Sequence, residues 1–177
     1  KKDYENLITM DLVCNGLVSP KIADLCSGSG CIAITLKKEI PSADVYAIEL
    51  SDKAFGYLRE NVRLNNADIT VIHGDVFDIH IREDLTDFDI IVSNPPYLTQ
   101  EDMDTLQTEV TYEPALALFG GSDGLDFYRN ITKTWRRSLK KGGWLCYEYG
   151  FGQHDDVKKI LLENKFENIT SDKLKKR

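Results

Sequence analysis

The chain has 177 residues, 42% hydrophobic and 29% charged, with a formal net charge of −7. That is the size and composition of one domain with a core of its own, and no apolar run is long enough to cross a membrane. The negative balance weighs against a nucleic-acid partner, which would have to be held against the average field of the domain. The chain starts on Lys1 without a charged-apolar-small leader, so an upstream part is expected. Cys14, Cys26, Cys31 and Cys146 match neither a paired zinc site nor a Cys-x-x-Cys motif. They read as reduced, mostly buried thiols of a cytoplasmic protein.

From about Tyr4 to Gly16 apolar residues recur at helical spacing and Asn15-Gly16 ends the pattern, which predicts a first helix. Lys21 to Leu25 reads as a strand, and the turn Cys26-Ser27-Gly28-Ser29-Gly30 leads into a helix from Cys31 to about Glu39. Glycines let a ligand approach the backbone here, and the helix start behind them offers free N–H groups. The dinucleotide fingerprint is incomplete, since Ile34 stands where its third glycine falls, so a tight turn without a ligand is the plain alternative. The next strand, Asp44 to Leu50, ends in Glu49, an acid placed to accept from both ribose hydroxyls of a nucleoside.

A helix follows from about Asp52 to Asn65 with Ser51 as its N-cap, and then a strand from Ile69 to His73. Behind it, Asp75 can accept from an adenine amine while Val76 flanks the ring; alone, Asp75 reads as a solvated turn residue. The apolar run Phe88 to Val92 is a fourth strand, which delivers Asn94-Pro95-Pro96-Tyr97. Two prolines supply no N–H, so this turn offers carbonyls and the Asn94 carboxamide to a planar group bearing NH2, with Tyr97 to stack on it. The plain alternative is a strand end stopped by prolines.

The stretch from Leu98 to Asp123 is long for a connection without structure. A helix is predicted from Gly124 to Leu139, a fifth strand from Trp144 to Tyr149, a last helix from Gln153 to about Asn164 and the start of a sixth strand from Phe166 to Thr170. His73, His80 and His154 are scattered and read as ordinary residues, and Glu148 faces either a pocket or solvent. Alternating strands and helices with polar residues at successive strand ends predict an α/β fold. Its mostly parallel twisted sheet carries helices on both faces and binds its ligand at the carboxyl edge.

Three segments carry a resemblance to a known family: Ala23-Asp24-Leu25-Cys26-Ser27-Gly28-Ser29-Gly30-Cys31-Ile32-Ala33, Val92-Ser93-Asn94-Pro95-Pro96-Tyr97, and Glu113-Pro114 to Leu118 with Gly120-Gly121, Asp123-Gly124-Leu125 and Tyr128-Arg129. The chain resembles the Rossmann-like class I S-adenosylmethionine-dependent methyltransferases and, among them, the PrmC/HemK family of release factor glutamine N5-methyltransferases. The resemblance implies S-adenosyl-L-methionine as cofactor, S-adenosyl-L-homocysteine as product, no metal, and a peptide chain release factor as protein substrate. It places the methionine part of the cofactor on Cys26, Ser27, Gly28, Ser29 and Gly30, the ribose on Glu49, and the adenine on Asp75 and Val76. Asn94 lies between cofactor and substrate, and Asn94, Pro95, Pro96 and Tyr97 form the substrate and catalytic site.

Residues 1–177 are then the catalytic domain, with the family's N-terminal recognition domain and closing strand expected outside the chain. The Asn-Pro-Pro-Tyr tetrapeptide is shared with adenine-N6 methyltransferases acting on RNA or DNA, which remain the alternative. A module that holds a nucleoside without turnover is a third reading.

Overall fold

The structure, a computed structural model, describes residues 16–105 and 117–171. The first predicted helix falls outside them, as do Glu113 and Pro114. Five strands, β1 (Lys21–Leu25), β2 (Asp44–Glu49), β3 (Ile69–His73), β4 (Phe88–Ser93) and β5 (Leu139–Tyr147), form one sheet in the order β3-β2-β1-β4-β5. Every pairing is parallel. The helices are α1 (Cys31–Glu39), α2 (Asp52–Leu64), α3 (Ile79–Glu83), α4 (Gln100–Asp104), α5 (Asp126–Trp135) and α6 (His154–Glu163).

Side chains alternate across a strand, so neighbours on β1 and β4 enter different cores. Ala23, Leu25 and Ile91 join Tyr128, Trp135 and Val157 in one cluster, whereas Ile22, Ile90 and Val92 join Ala33, Leu36 and Leu58 in the other. Both faces of the sheet are thereby covered, which is why β1 and β4 read as nearly continuous apolar runs. All six residues of β4 are buried. Its charged residue, Asp89, is satisfied by Lys140 Nζ at 2.8 and 2.9 Å and by the Lys21 N–H at 2.8 Å, as burial of a carboxylate requires.

The strand order reverses between β1 and β4, and parallel α/β sheets open a crevice beyond their carboxyl ends at such a point. Leu25 pairs with Ser93, and the Ser93 hydroxyl donates to the Leu25 carbonyl at 2.8 Å. Cys26 and Asn94 therefore leave the sheet side by side.

Several expectations are corrected. The helix predicted to Leu139 stops at Trp135 and passes through a 3-10 turn at Arg136–Ser138, because Leu139 is claimed by pairing with Phe88. The strand predicted from Trp144 begins at Leu139 instead. Lys140 to Gly143 bulge out of its ladder, since Phe88 faces Leu139 while Ile90 already faces Trp144, and Gly142 takes a φ of 83°. No strand forms over 166–170: Lys165 and Asn168 have φ of 66° and 54°, which breaks an extended run, and Phe166 and Ile169 pack against the core. Cys31 is exposed, contrary to the expectation of mostly buried thiols.

Trp135 is fully buried and its Nε1 donates to the Val76 carbonyl at 2.9 Å. Trp135→Phe keeps most of the apolar volume but orphans that carbonyl, so chemical denaturation should show a loss of about 1–3 kcal/mol. Parental stability would mean that the carbonyl finds another donor.

Candidate active site

The crevice is built from the ends of four strands. Behind β1 the backbone turns through positive φ at Cys26 (58°), Gly28 (57°) and Gly30 (84°). The two glycines serve different ends. A Cβ on Gly30 would sit 2.5 Å from Leu58 Cδ1, so this residue lets α1 pack on α2. A Cβ on Gly28 would meet nothing within 4 Å, so this backbone is open to a ligand. The turn is braced by the Ser27 hydroxyl on the Asp24 carbonyl (2.7 Å), the Ser27 N–H on the Ile48 carbonyl (3.0 Å) and the buried Asp24 carboxylate, which accepts from the Ala33 N–H at 3.1 Å.

Glu49, at the end of β2, is 8% exposed. Its Oε2 accepts from the Gly28 N–H and its Oε1 from the Ser51 N–H, each at 2.8 Å. The carboxylate thus fixes the glycine-rich turn from the neighbouring strand. Each oxygen retains a second lone-pair direction, so this bracing leaves it able to accept from a diol.

Behind β3, Asp75 Oδ1 accepts from the Phe77 N–H at 2.8 Å, and the Gly74 N–H donates to the Glu49 carbonyl at 3.0 Å. This Asx turn fixes one carboxylate oxygen. Val76 is buried and held by Trp135 as described above.

Behind β4, Pro95 and Pro96 are buried, Tyr97 is half-buried, and the Asn94 side chain makes no hydrogen bond among the described residues. The turn is held from outside. The Leu98 N–H donates to the Leu118 carbonyl and the Gly120 N–H to the Leu98 carbonyl, both at 2.8 Å, forming a bridge between Leu98 and Phe119. A Cβ on Gly120 would lie 2.7 Å from both the Pro96 carbonyl oxygen and Tyr97 Cα. Beyond it, Asp123 accepts from Arg129 and from the Leu125 N–H, and the guanidinium holds its carboxyl below the usual range.

These four ends enclose a cavity of about 570 Å3, a volume typical of small-molecule sites. Of the residues singled out in the sequence, Cys26, Ser27, Gly28, Ser29, Glu49, Asp75, Val76, Asn94, Pro95, Pro96 and Tyr97 line it. Gly30 and Glu148 do not, nor does any histidine; His73, for instance, bonds the Leu50 carbonyl at 2.9 Å and stacks on Phe55. Sequence reasoning gives no site role to Ser51, Ala54, Leu118 or Phe127, which also line the cavity; it marks Ser51 only as a helix cap and Leu118 only as the end of a family segment. Phe127 sits on α5 beside Phe77, ring centroids 4.8 Å apart, and only its partial burial distinguishes it from an ordinary helix residue. Burial pushes the Cys26 thiol far up, with the Glu49 charge adding to the effect, so it stays a neutral, unreactive wall.

The sequence pattern described as the methyltransferase small domain matches residues 7–118. The chain belongs to that family. It is 45% identical over 139 residues to the release factor glutamine methyltransferase of Geobacter sulfurreducens, covering 77% of this chain and 47% of that protein. With the protein of the same name from Flavobacterium psychrophilum it shares 41% identity over 169 residues, 94% of this chain and 58% of the relative. The chain therefore spans about half the length of these relatives. Among solved structures it superposes on the catalytic domain of hMettl16, determined in complex with the MAT2A 3'UTR hairpin 6, with a TM-score of 0.72, covering 94% of this chain and 62% of that one. At 18% identity that likeness is one of fold.

In this methyltransferase domain Gly120 has no room for a side chain. Gly120→Ala should lower stability by about 1–3 kcal/mol through overpacking against the Pro96–Tyr97 backbone. Gly56→Ala on α2, where a Cβ meets nothing within 4 Å, should instead gain up to about 1 kcal/mol from helix propensity. Equal effects at the two sites in denaturant titrations would contradict the packing described for Gly120.

Proposed function

We propose that this chain is the catalytic domain of an S-adenosylmethionine-dependent enzyme that methylates the side-chain nitrogen (N5) of a glutamine in a peptide chain release factor. The similarity to proteins of that name supports the substrate. The observation that carries the chemistry is the register of β1 with β4, which sets the glycine-rich turn and the Asn94 carboxamide on one cavity.

The residues present fit the cofactor. The open face of Gly28, the N-terminus of α1 and the hydroxyl of Ser27 suit the amino acid part, with Cys26 and Ser29 completing that wall and Gly30 shaping the turn from behind. Glu49 keeps acceptor capacity for the ribose hydroxyls. The second Asp75 oxygen would accept from the adenine amine, while Val76 would supply an apolar surface for the ring. When bound, the cofactor supplies an electrophilic methyl group.

An amide nitrogen is a poor nucleophile because its lone pair is delocalised into the carbonyl. Asn94 Oδ1 and the Pro95 carbonyl accept its two N–H bonds and so turn the lone pair toward the methyl carbon. Orientation of this kind contributes as much as roughly 7–11 kcal/mol in the best cases. Buried Pro96 stiffens the turn, and the Tyr97 ring provides a face for the flat amide. The nitrogen would take the methyl group that the bound cofactor supplies, and the cofactor would be released as its demethylated thioether. The methylated nitrogen is strongly acidic and loses its proton to water, so no histidine dyad is required.

Asn94→Ala in the full-length protein should cut turnover on a glutamine-bearing release factor about a hundredfold or more, with little change in cofactor affinity. Near-parental turnover would reduce the turn to a strand end. Glu49→Ala should weaken cofactor binding by about 1.5–3 kcal/mol in calorimetry, and unchanged binding would overturn the ribose assignment. Tritiated methyl transfer offered side by side to release factor, RNA and DNA should label the protein; label in nucleic acid alone would replace this reading with adenine methylation.

A further inference from the structure

Gln153 occupies the N-cap position of α6, where short residues such as Ser, Asp or Asn normally satisfy the first free N–H groups of the helix. Its side chain makes no such bond. Instead the carboxamide spans three separate loops. Its Nε2 donates to the Tyr97 carbonyl at 3.0 Å and to the Gly124 carbonyl at 3.3 Å, while its Oε1 accepts from the Gly150 N–H at 2.9 Å. The Gln153 N–H closes the same turn on the Gly150 carbonyl at 3.1 Å.

The surroundings pack closely around this carboxamide. A Cβ on Gly124 would lie 2.7 Å from Gln153 Nε2, and a Cβ on Gly150 would lie 2.8 Å from Gln153 Oε1 and 2.9 Å from the Tyr97 ring. Two glycines thus open the space through which the carboxamide reaches its partners. Gln is the residue type that can serve them: it carries two donors and an acceptor on one planar group, on a stem longer than that of Asn. Glu lacks the donors, and Met lacks both functions.

We propose that Gln153 is a positioning residue that fixes the Tyr97 end of the Asn94–Tyr97 turn, and with it the direction in which the Asn94 carboxamide and the Pro95 carbonyl present themselves. The turn cannot do this for itself, because Pro95 and Pro96 have no N–H to donate. Leu98 and Gly120 hold it on one side, and Gln153 on the other. The catalytic consequence rests on the function proposed above; the mechanical one does not.

Two variants of the full-length protein separate the possibilities. Gln153→Met keeps the length and removes every hydrogen bond. Gln153→Glu keeps the acceptor for the Gly150 N–H but sets an oxygen against two carbonyls. Amide hydrogen exchange should accelerate at Leu98 in both variants, and at Gly150 in Gln153→Met only. Turnover on the release factor should fall about tenfold to a hundredfold in both, through kcat rather than KM, since misplacement near 1 Å costs on that order. Cofactor affinity should stay within about twofold, because Gln153 touches none of the residues assigned to the cofactor.

Unchanged exchange at Leu98, or parental kcat in Gln153→Glu alongside faster exchange, overturns the proposal. A parent protein that methylates no glutamine sinks the proposed function instead, and the exchange at Leu98 and Gly150 then decides by itself whether Gln153 holds the turn.

Discussion

Two adjacent prolines at the end of β4 impose the constraint on which the rest of the site depends. They fill the backbone of the Asn94–Tyr97 turn with carbonyls and remove the N–H groups by which a turn normally closes on itself. The segment is therefore rigid in φ yet without internal hydrogen bonds at these two positions, and its placement is set by neighbours. Among the described residues, those neighbours include the Leu98 bridge to residues 118–120, the close approach of Gly120 and the carboxamide of Gln153. The run from Gly120 to Arg129 follows from the same need. Gly120 and Gly124 yield space to the turn, and Asp123 with Arg129 and Leu125 fixes the loop that carries them.

The other half of the cavity depends on one carboxylate. Glu49 accepts from the N–H groups of Gly28 and Ser51, so the same side chain braces the glycine-rich turn and lines the cavity. The bracing leaves Glu49 free to accept further hydrogen bonds from the cavity, because a carboxylate oxygen accepts more than one. The arrangement also sharpens the contrast between the two walls. Glu49 and Asp75 supply charge on the β2 and β3 side. The β4 side is formed by Pro95, Pro96, Tyr97 and Leu98, with the Asn94 carboxamide as a neutral polar group among them.

Much of this is legible in the residues wherever burial and turn chemistry agree. The apolar runs of β1 and β4, the glycines behind β1, Ser51 as a helix cap and Glu49 at a strand end all announce themselves by local pattern, and of these Gly28, Glu49 and Ser51 line the cavity. What escapes is what pattern cannot carry. α3 and α4 are five residues each with no buried residue, so no apolar stripe marks them, although the pairing of Thr99 with Asp102 is a capping box. The extended β5 and its bulge depend on pairing with Phe88, a partner about fifty residues away along the chain. Gln153 looks like an ordinary polar helix start, and its reach to Tyr97 exists only once α6 has docked. The second role of Glu49, and the separate duties of Gly28 and Gly30, likewise follow from neighbours that only the fold supplies.

The most direct test of the account is a crystal structure of the full-length protein with S-adenosyl-L-homocysteine and a glutamine-bearing segment of a release factor. The account predicts the glutamine amide nitrogen within about 2.7–3.2 Å of both Asn94 Oδ1 and the Pro95 carbonyl, with its plane on the Tyr97 ring. A glutamine bound with its amide nitrogen hydrogen-bonded elsewhere, and making no contact with the Asn94 carboxamide, would contradict it.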